Sequence, residues 1–169
     1  MRRSYAAVGT AAFFFIAPGM VAGVIPWWIT RWQLRSPFPA STAFAILGGA
    51  MIAFGTAFLV HAFVRFVLEG AGTPAPIAPT KRLVVGGAYR YVRNPMYLAV
   101  LTIIVGQALL LGKPHLLTYA GVVATIMVTF VRVYEEPVLS RKFGREYEDY
   151  RRQVRGWWPR LQKPYRNRT

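Results

Sequence analysis

Apolar residues run along this chain in four long blocks rather than in the alternating pattern of half-buried strands. Tyr5 to Trp28, Ser41 to Leu68, Pro95 to Gly112 and His115 to Tyr134 each hold about 18 residues or more. At about 1.5 Å per residue, that is roughly the length needed to cross a hydrocarbon core about 30 Å thick. The pattern predicts an all-α, polytopic integral membrane protein with about four transmembrane helices. After Pro137 the period changes: Leu139, Phe143, Tyr147, Tyr150 and Val154 recur every three or four residues among Arg and Glu. This stripe predicts a C-terminal amphipathic helix on the cytoplasmic side, lying on the membrane or over the mouth of the third and fourth spans, with its apolar residues packed as core. Gly156-Trp157-Trp158-Pro159 ends it with aromatic residues suited to a membrane interface.

The spans differ in how firmly the residues define them. Pro18 and Pro26 are expected to bend or end the first helix. Arg2 and Arg3 before an apolar run also give it the look of a signal peptide, although the run continues to the interfacial pair Trp27-Trp28, as a retained span would. The second span carries Ala45, Gly49, Ala53 and Ala57 at intervals of four, a small-residue stripe expected to face a neighbouring helix. His61, Arg65 and Glu69 continue it, which predicts an interhelical, hydrogen-bonded His61. Residues 29–40 read as an outer linker, and Ala71 to Pro79, with three prolines, as an extended crossing segment. Lys113-Pro114 makes a tight turn between the third and fourth spans, so these form an antiparallel hairpin. The whole chain, 1–169, reads as one membrane-embedded domain: two spans in 1–70, a crossing segment in 71–94, two spans in 95–136, and a helix with a basic tail in 137–169.

Composition fits this picture. Of 169 residues 54% are hydrophobic and 16% charged, and no cysteine is present, which excludes disulfides and thiolate chemistry. A net charge of +15 would fit a nucleic-acid partner in a polar domain, but here the cations are sorted by loop. Eighteen Lys and Arg fall on one side of the four expected spans and three, Arg31, Arg35 and Lys113, on the other. That bias predicts a bacterial inner membrane protein with both termini cytoplasmic, surrounded by membrane lipids and without nucleic acid.

Candidate chemistry concentrates at two places that the hairpin brings to one level. Asn94-Pro95 is a helix start, with asparagine at the cap and proline at the first helical position. Asn94 has a purely structural reading as that cap. The first turn of the helix, beside Arg93, also suits a carboxylate or phosphate. Glu135 and Glu136 are two of only six acids and end a helix where the dipole opposes them, followed by Pro137, which should break it. Arg93 or Arg132 is the expected ion-pair partner, and a bound cation an alternative.

Together, Gly87-x-Tyr89-x-x-x-Arg93-Asn94-Pro95-x-Tyr97, then Glu135-Glu136, then Phe143-Gly144-x-x-Tyr147-x-x-Tyr150 resemble the signature of the isoprenylcysteine carboxyl methyltransferase and phospholipid methyltransferase superfamily, over residues 80–160. The resemblance implies a membrane methyltransferase that uses S-adenosyl-L-methionine. It places the cofactor between the Arg-Asn-Pro-x-Tyr segment and the paired acids, near the backbone of Leu83 to Gly87. Carried over by position, Tyr89, Arg93, Asn94, Pro95, Tyr97, Glu135 and Glu136 are the cofactor-binding candidates. Glu135 and Glu136 are also the catalytic candidates, and a bound water is equally able to take a proton from the acceptor. The carboxylate of the cofactor suits Arg93 and the helix N-terminus, its cationic or hydroxyl groups suit the acids, and Tyr89 or Tyr97 suits adenine or the sulfonium. Many relatives have histidine where this chain has Asn94, so proton transfer at that position is not expected. The implied acceptor is a lipid or small lipophilic molecule. An NADPH-dependent membrane reductase and a non-enzymatic adaptor binding anionic lipid are the alternatives.

Overall fold

The computed structural model describes residues 16–34, 41–70 and 82–159. The N-terminal part of the first expected span, with the signal-peptide reading attached to it, lies outside these residues. So do the whole of the extended segment 71–79, residues 35–40 of the expected outer linker, and the basic tail from 160 onward. Among the described residues every regular element is helical: α1 (Ile16–Thr30), α2 (Ser41–Gly70), a 3₁₀ turn (Gly87–Arg90), α3 (Pro95–Leu111), α4 (His115–Phe130), α5 (Glu136–Phe143) and α6 (Arg145–Gln153). Thr42–Phe66, and the continuous run His115–Phe143 that joins α4 to α5, are long and apolar enough to cross a membrane; Ile16–Thr30 and Pro95–Leu111 are apolar but shorter.

α3 is the central helix. Ala99, Val100, Ile103, Ile104, Gly106, Gln107, Ala108 and Leu111 are all buried on it, against α2 on one side and α4 and α1 on others. Ile46, Phe54 and Leu68 of α2 and Val122, Ile126 and Val133 of the fourth helix point outward instead. An apolar exterior around a closely packed interior is what lipid as solvent permits.

The helices approach closely because glycines meet. A Cβ on Gly48 would lie 2.5 Å from the Gly106 carbonyl oxygen and the Leu110 nitrogen, and one on Gly106 would lie 2.8 Å from the Gly48 oxygen. The contacting row on α2 is Gly48, Ile52, Gly55, Leu59 and Ala62, spaced four, three, four and three. The expected stripe of Ala45, Gly49, Ala53 and Ala57 is not that row. Each step of four overshoots a helical turn by about 40°, so the stripe winds off the interface. Ala53 and Ala57 are exposed, and a Cβ on Gly49 would touch nothing within 4 Å. For the same reason His61 is exposed rather than enclosed between helices.

The prolines do not break their helices either. In the first helix a π-helical turn, Met20–Val24, directly precedes Ile25-Pro26, and a second, Val131–Glu135, precedes Glu136-Pro137. A proline ring collides with the carbonyl four residues back, here Ala22 or Val133, and a widened turn relieves that collision without ending the helix. In α1 the loosened carbonyls find new donors: Gln107 Nε2 donates to the Ala22 oxygen at 2.6 Å and the Tyr119 hydroxyl to the Val21 oxygen at 2.8 Å. These bonds pin α1 to α3 and α4. The C-terminal amphipathic stripe, expected on one helix, is divided between α5 and α6, because Gly144 takes φ 52° and ψ −124° and ends the first of them. Tyr147, Tyr150 and Val154 still form one buried cluster against Leu83, Val85, Leu139 and Phe143.

Gly48→Ala should destabilise the detergent-solubilised protein by roughly 1–3 kcal/mol through overpacking. Gly49→Ala should be neutral or stabilising by up to about 1 kcal/mol, the helix-propensity gain. Thermal unfolding of the two variants side by side checks this, and equal loss in both would contradict the interface.

Candidate functional site

The hairpin of α3 and α4 turns within Gly112, Lys113 and Pro114, so its open end brings residues 93–97 back beside 135–136. Two clasps join them. The Tyr97 hydroxyl donates to Glu135 Oε2 at 2.9 Å, and Arg93 Nη1 donates to Glu136 Oε1 at 2.8 Å. Arg93 Nη1 also donates to the Tyr147 hydroxyl at 3.0 Å, and Arg151 Nη2 lies 3.6 Å from Glu136 Oε2. The acids therefore have different partners: Glu136 sits between two guanidinium groups and Glu135 faces a phenol. Arg132, expected as a partner, is exposed and takes no part in these pairs. The π-turn explains how adjacent acids reach one site: it widens the helix just where Glu135 and Glu136 leave it.

Asn94 precedes α3, with Pro95 in the first turn as expected, but its side chain makes no capping hydrogen bond. It is buried, and its Nδ2, like Arg93 Nε, is a buried donor without a hydrogen-bond partner among the described residues. The capping reading of Asn94 fails on this geometry: the side chain makes no cap hydrogen bond, and φ −115° with ψ 53° lies outside the extended backbone usual for a capping residue. The backbone around it is held from outside: Arg93 N–H donates to the Arg155 oxygen at 2.9 Å and Asn94 N–H to the Gly156 oxygen at 3.2 Å.

All seven residues singled out from the sequence, Tyr89, Arg93, Asn94, Pro95, Tyr97, Glu135 and Glu136, line one cavity of about 400 Å³. Its polar lining comes from the segment before α3, the first turn of α3, the α4–α5 joint and α6. Its apolar lining comes from the spans, among them Ala17, Val21, Phe63, Val100, Met127 and Phe130. Several contributors were not singled out. Tyr147 and Tyr150 belonged to a stripe that reads as packing, and they do pack, yet both also face the cavity. Phe63 and Phe66 come from α2, where nothing in the local sequence separates them from other span aromatics. Trp157 packs against Tyr97 with ring centroids 6.1 Å apart.

Burial pushes the Tyr147 hydroxyl up to about 12, Arg93 opposing the rise and Glu136 adding to it. The Tyr89 hydroxyl is raised well above its usual value, again chiefly by burial. Both remain protonated through the physiological range, so neither serves as a base, and Tyr147 acts as a neutral acceptor for Arg93.

Arg93→Ala should cost roughly 2–3 kcal/mol of stability, since it strips a largely buried Glu136 of its closest cation. Arg151→Ala, whose longer contact comes from a half-exposed side chain, should cost less than about 1 kcal/mol. Chemical or thermal unfolding in detergent distinguishes the two.

Comparison with curated proteins and with solved structures gives no significant match. A family model described as phospholipid methyltransferase matches residues 43–146. The matched stretch contains nearly all of α2, then α3, α4, the Arg93–Tyr97 segment and both paired acids, and it implies methyltransferase activity on lipid substrates. The match takes in well over half of the chain, which belongs to the phospholipid methyltransferase family.

Proposed function

We propose that the cavity binds S-adenosyl-L-methionine at its polar end and that the chain transfers the methyl group to a lipophilic acceptor that occupies the apolar end. The observation that carries this reading is the division of one cavity into a charged wall at the hairpin mouth and an apolar wall built by the spans. Its volume lies in the range of small-molecule sites, about 300–1,000 Å³.

The residues present fit the cofactor. Arg93 Nε and Asn94 Nδ2 are buried donors without protein partners among the described residues, a condition that costs about 1–3 kcal/mol for each group until something accepts from it. A carboxylate or ribose hydroxyl would satisfy them, and the Glu135 carboxylate suits an ammonium or a hydroxyl. When bound, the cofactor supplies a methyl group activated by its sulfonium. The protein's own task is then mainly to hold, align and dry the reactants, so no nucleophilic side chain is needed. Glu136 and Tyr147 fix the Arg93 guanidinium so that it does not reorient during binding. Asn94 hydrogen-bonds without titrating, so it leaves proton removal to another group. Of the two acids, Glu135 is the one we assign to the ligand and, where the acceptor must lose a proton, to receiving it. Glu136, neutralised by Arg93 and Arg151, serves to position Arg93. Tyr147, Tyr150 and Trp157 shield the polar end from water. The cation bias supports placing this end at the cytoplasmic face of a bacterial inner membrane, with both termini on that side.

Calorimetry in detergent tests the assignment. S-adenosylhomocysteine should bind the wild-type protein, and Glu135→Gln and Arg93→Ala should each weaken binding at least about tenfold, or about 1.4 kcal/mol. Glu146→Gln, on the exposed face of α6, should not. Undiminished binding in both site variants would remove the site. Ligand present at about 100 times its Kd should stabilise the fold by about 2.7 kcal/mol; stabilisation by NADPH in its place would favour a reductase, and by neither an adaptor.

A further inference from the structure

We infer that Glu69, at the C-terminal end of α2, is a positioning residue for the cavity, acting through the backbone N–H of Gly86; the inference rests on reading the cavity as a cofactor site. Glu69 Oε2 accepts a hydrogen bond from Gly86 N–H at 2.8 Å, across 17 residues of chain. Its ion pair with Arg65 is longer, 3.4 Å, with Arg65 nearly half exposed, so the contact to Gly86 is the specific one. The segment is shaped to receive that carboxylate. A Cβ on Gly86 would overlap the Glu69 carboxylate group, and Gly87 adopts φ +55° with its missing Cβ 2.9 Å from Arg65 Cγ and 3.0 Å from His61 Nε2. Two successive glycines thus let the chain lie directly on the His61-Arg65-Glu69 face of α2.

The residues just beyond these glycines build one wall of the cavity. Gly86 precedes the 3₁₀ turn Gly87–Arg90, and its carbonyl accepts from Tyr89 N–H at 3.1 Å. Gly86 is therefore gripped twice, by Glu69 at its N–H and by Tyr89 at its carbonyl. Tyr89 is buried and lines the cavity, its ring is 6.3 Å from that of Phe66 on α2, and its carbonyl accepts the Tyr150 hydroxyl at 2.7 Å. One continuous set of contacts runs from Glu69 through Gly86 and Tyr89 to Tyr150, linking the end of α2 to α6 along one side of the cavity. Removing the carboxylate leaves a buried N–H without its acceptor and frees the turn that sets Tyr89.

Calorimetric titration of the full-length protein in nanodiscs with S-adenosylhomocysteine tests this, because stoichiometry reports the folded fraction and Kd reports the site. Glu69→Ala should raise Kd at least about fivefold at unchanged stoichiometry. Glu69→Gln, whose amide oxygen still accepts from Gly86, should stay within about twofold of wild type. Gly86→Ala, which displaces the same carboxylate, should reproduce Glu69→Ala, and the double variant should be no worse than either single one. Where Glu69→Ala does not fold, Glu69→Asp, one methylene too short to reach Gly86, takes its place. Loss of stoichiometry with Kd unchanged would reduce Glu69 to a structural role and overturn the inference. A Glu69→Gln variant as weak as Glu69→Ala would overturn the hydrogen-bond route. Absence of binding by the wild-type protein would instead overturn the cofactor reading of the cavity.

Discussion

The site depends on a pair of clasps across the α3–α4 hairpin, Tyr97 to Glu135 and Arg93 to Glu136. Two adjacent carboxylates near the end of an apolar span would each carry a desolvation cost of several kcal/mol if left alone, so the fold must supply partners or lose the charges. It supplies two different ones. A guanidinium beside Glu136 matches its charge; a phenol on Glu135 orients the carboxyl group without supplying an opposite charge. The asymmetry comes from the order of residues on α3, with Arg93 before the helix and Tyr97 one turn along it.

Holding those clasps in register requires the spans to stay fixed despite the defects that proline introduces. The Pro26 and Pro137 helices both absorb the proline in a π-turn just upstream, and both turns border the cavity: Val21 belongs to the first, Val131, Tyr134 and Glu135 to the second. Backbone carbonyls loosened in a lipid environment have no water to turn to, which is why side chains from neighbouring helices, Gln107 and Tyr119, meet those of Val21 and Ala22. The same defect that widens the helix for the acids in one place anchors α1 in another.

Much of this was legible in the sequence because it rests on periodicity and proximity along the chain. The blocks of apolar residues gave the helices, and a hairpin with a three-residue turn could only return Glu135 and Glu136 to the level of Arg93 and Tyr97. Facing was harder to read. A strict four-residue repeat such as Ala45 to Ala57 looks like an interface in one dimension but rotates away in three, whereas the Gly48-Gly55-Ala62 row is less regular to the eye and matches the 3.5-residue repeat of packed helices. Long-range contacts were invisible for another reason. Nothing near Glu69 announces Gly86, and nothing in the Tyr147-Tyr150 stripe separates a packing tyrosine from one that also meets Arg93.

The partition of roles between the acids comes from these contacts rather than from their adjacency. Glu136, between Arg93 and Arg151, already faces two guanidinium groups and has little left to offer a ligand. Glu135 accepts from the Tyr97 phenol in a largely apolar wall and forms neither of the ion pairs at the site, so a donor or cation brought by a ligand finds it without an ionic partner. A cationic ligand entering the cavity would therefore meet one electrostatically satisfied acid and one unsatisfied one, flanked by the buried donors of Arg93 and Asn94 that favour an anionic or hydroxyl group. A zwitterion carrying both kinds of group meets each demand at once. A purely anionic headgroup would bring nothing for Glu135 to accept from, and a purely cationic one would leave the donors unpaired. Charge pattern, more than cavity size, thus separates a ligand that carries both kinds of group from one that carries charge of a single sign.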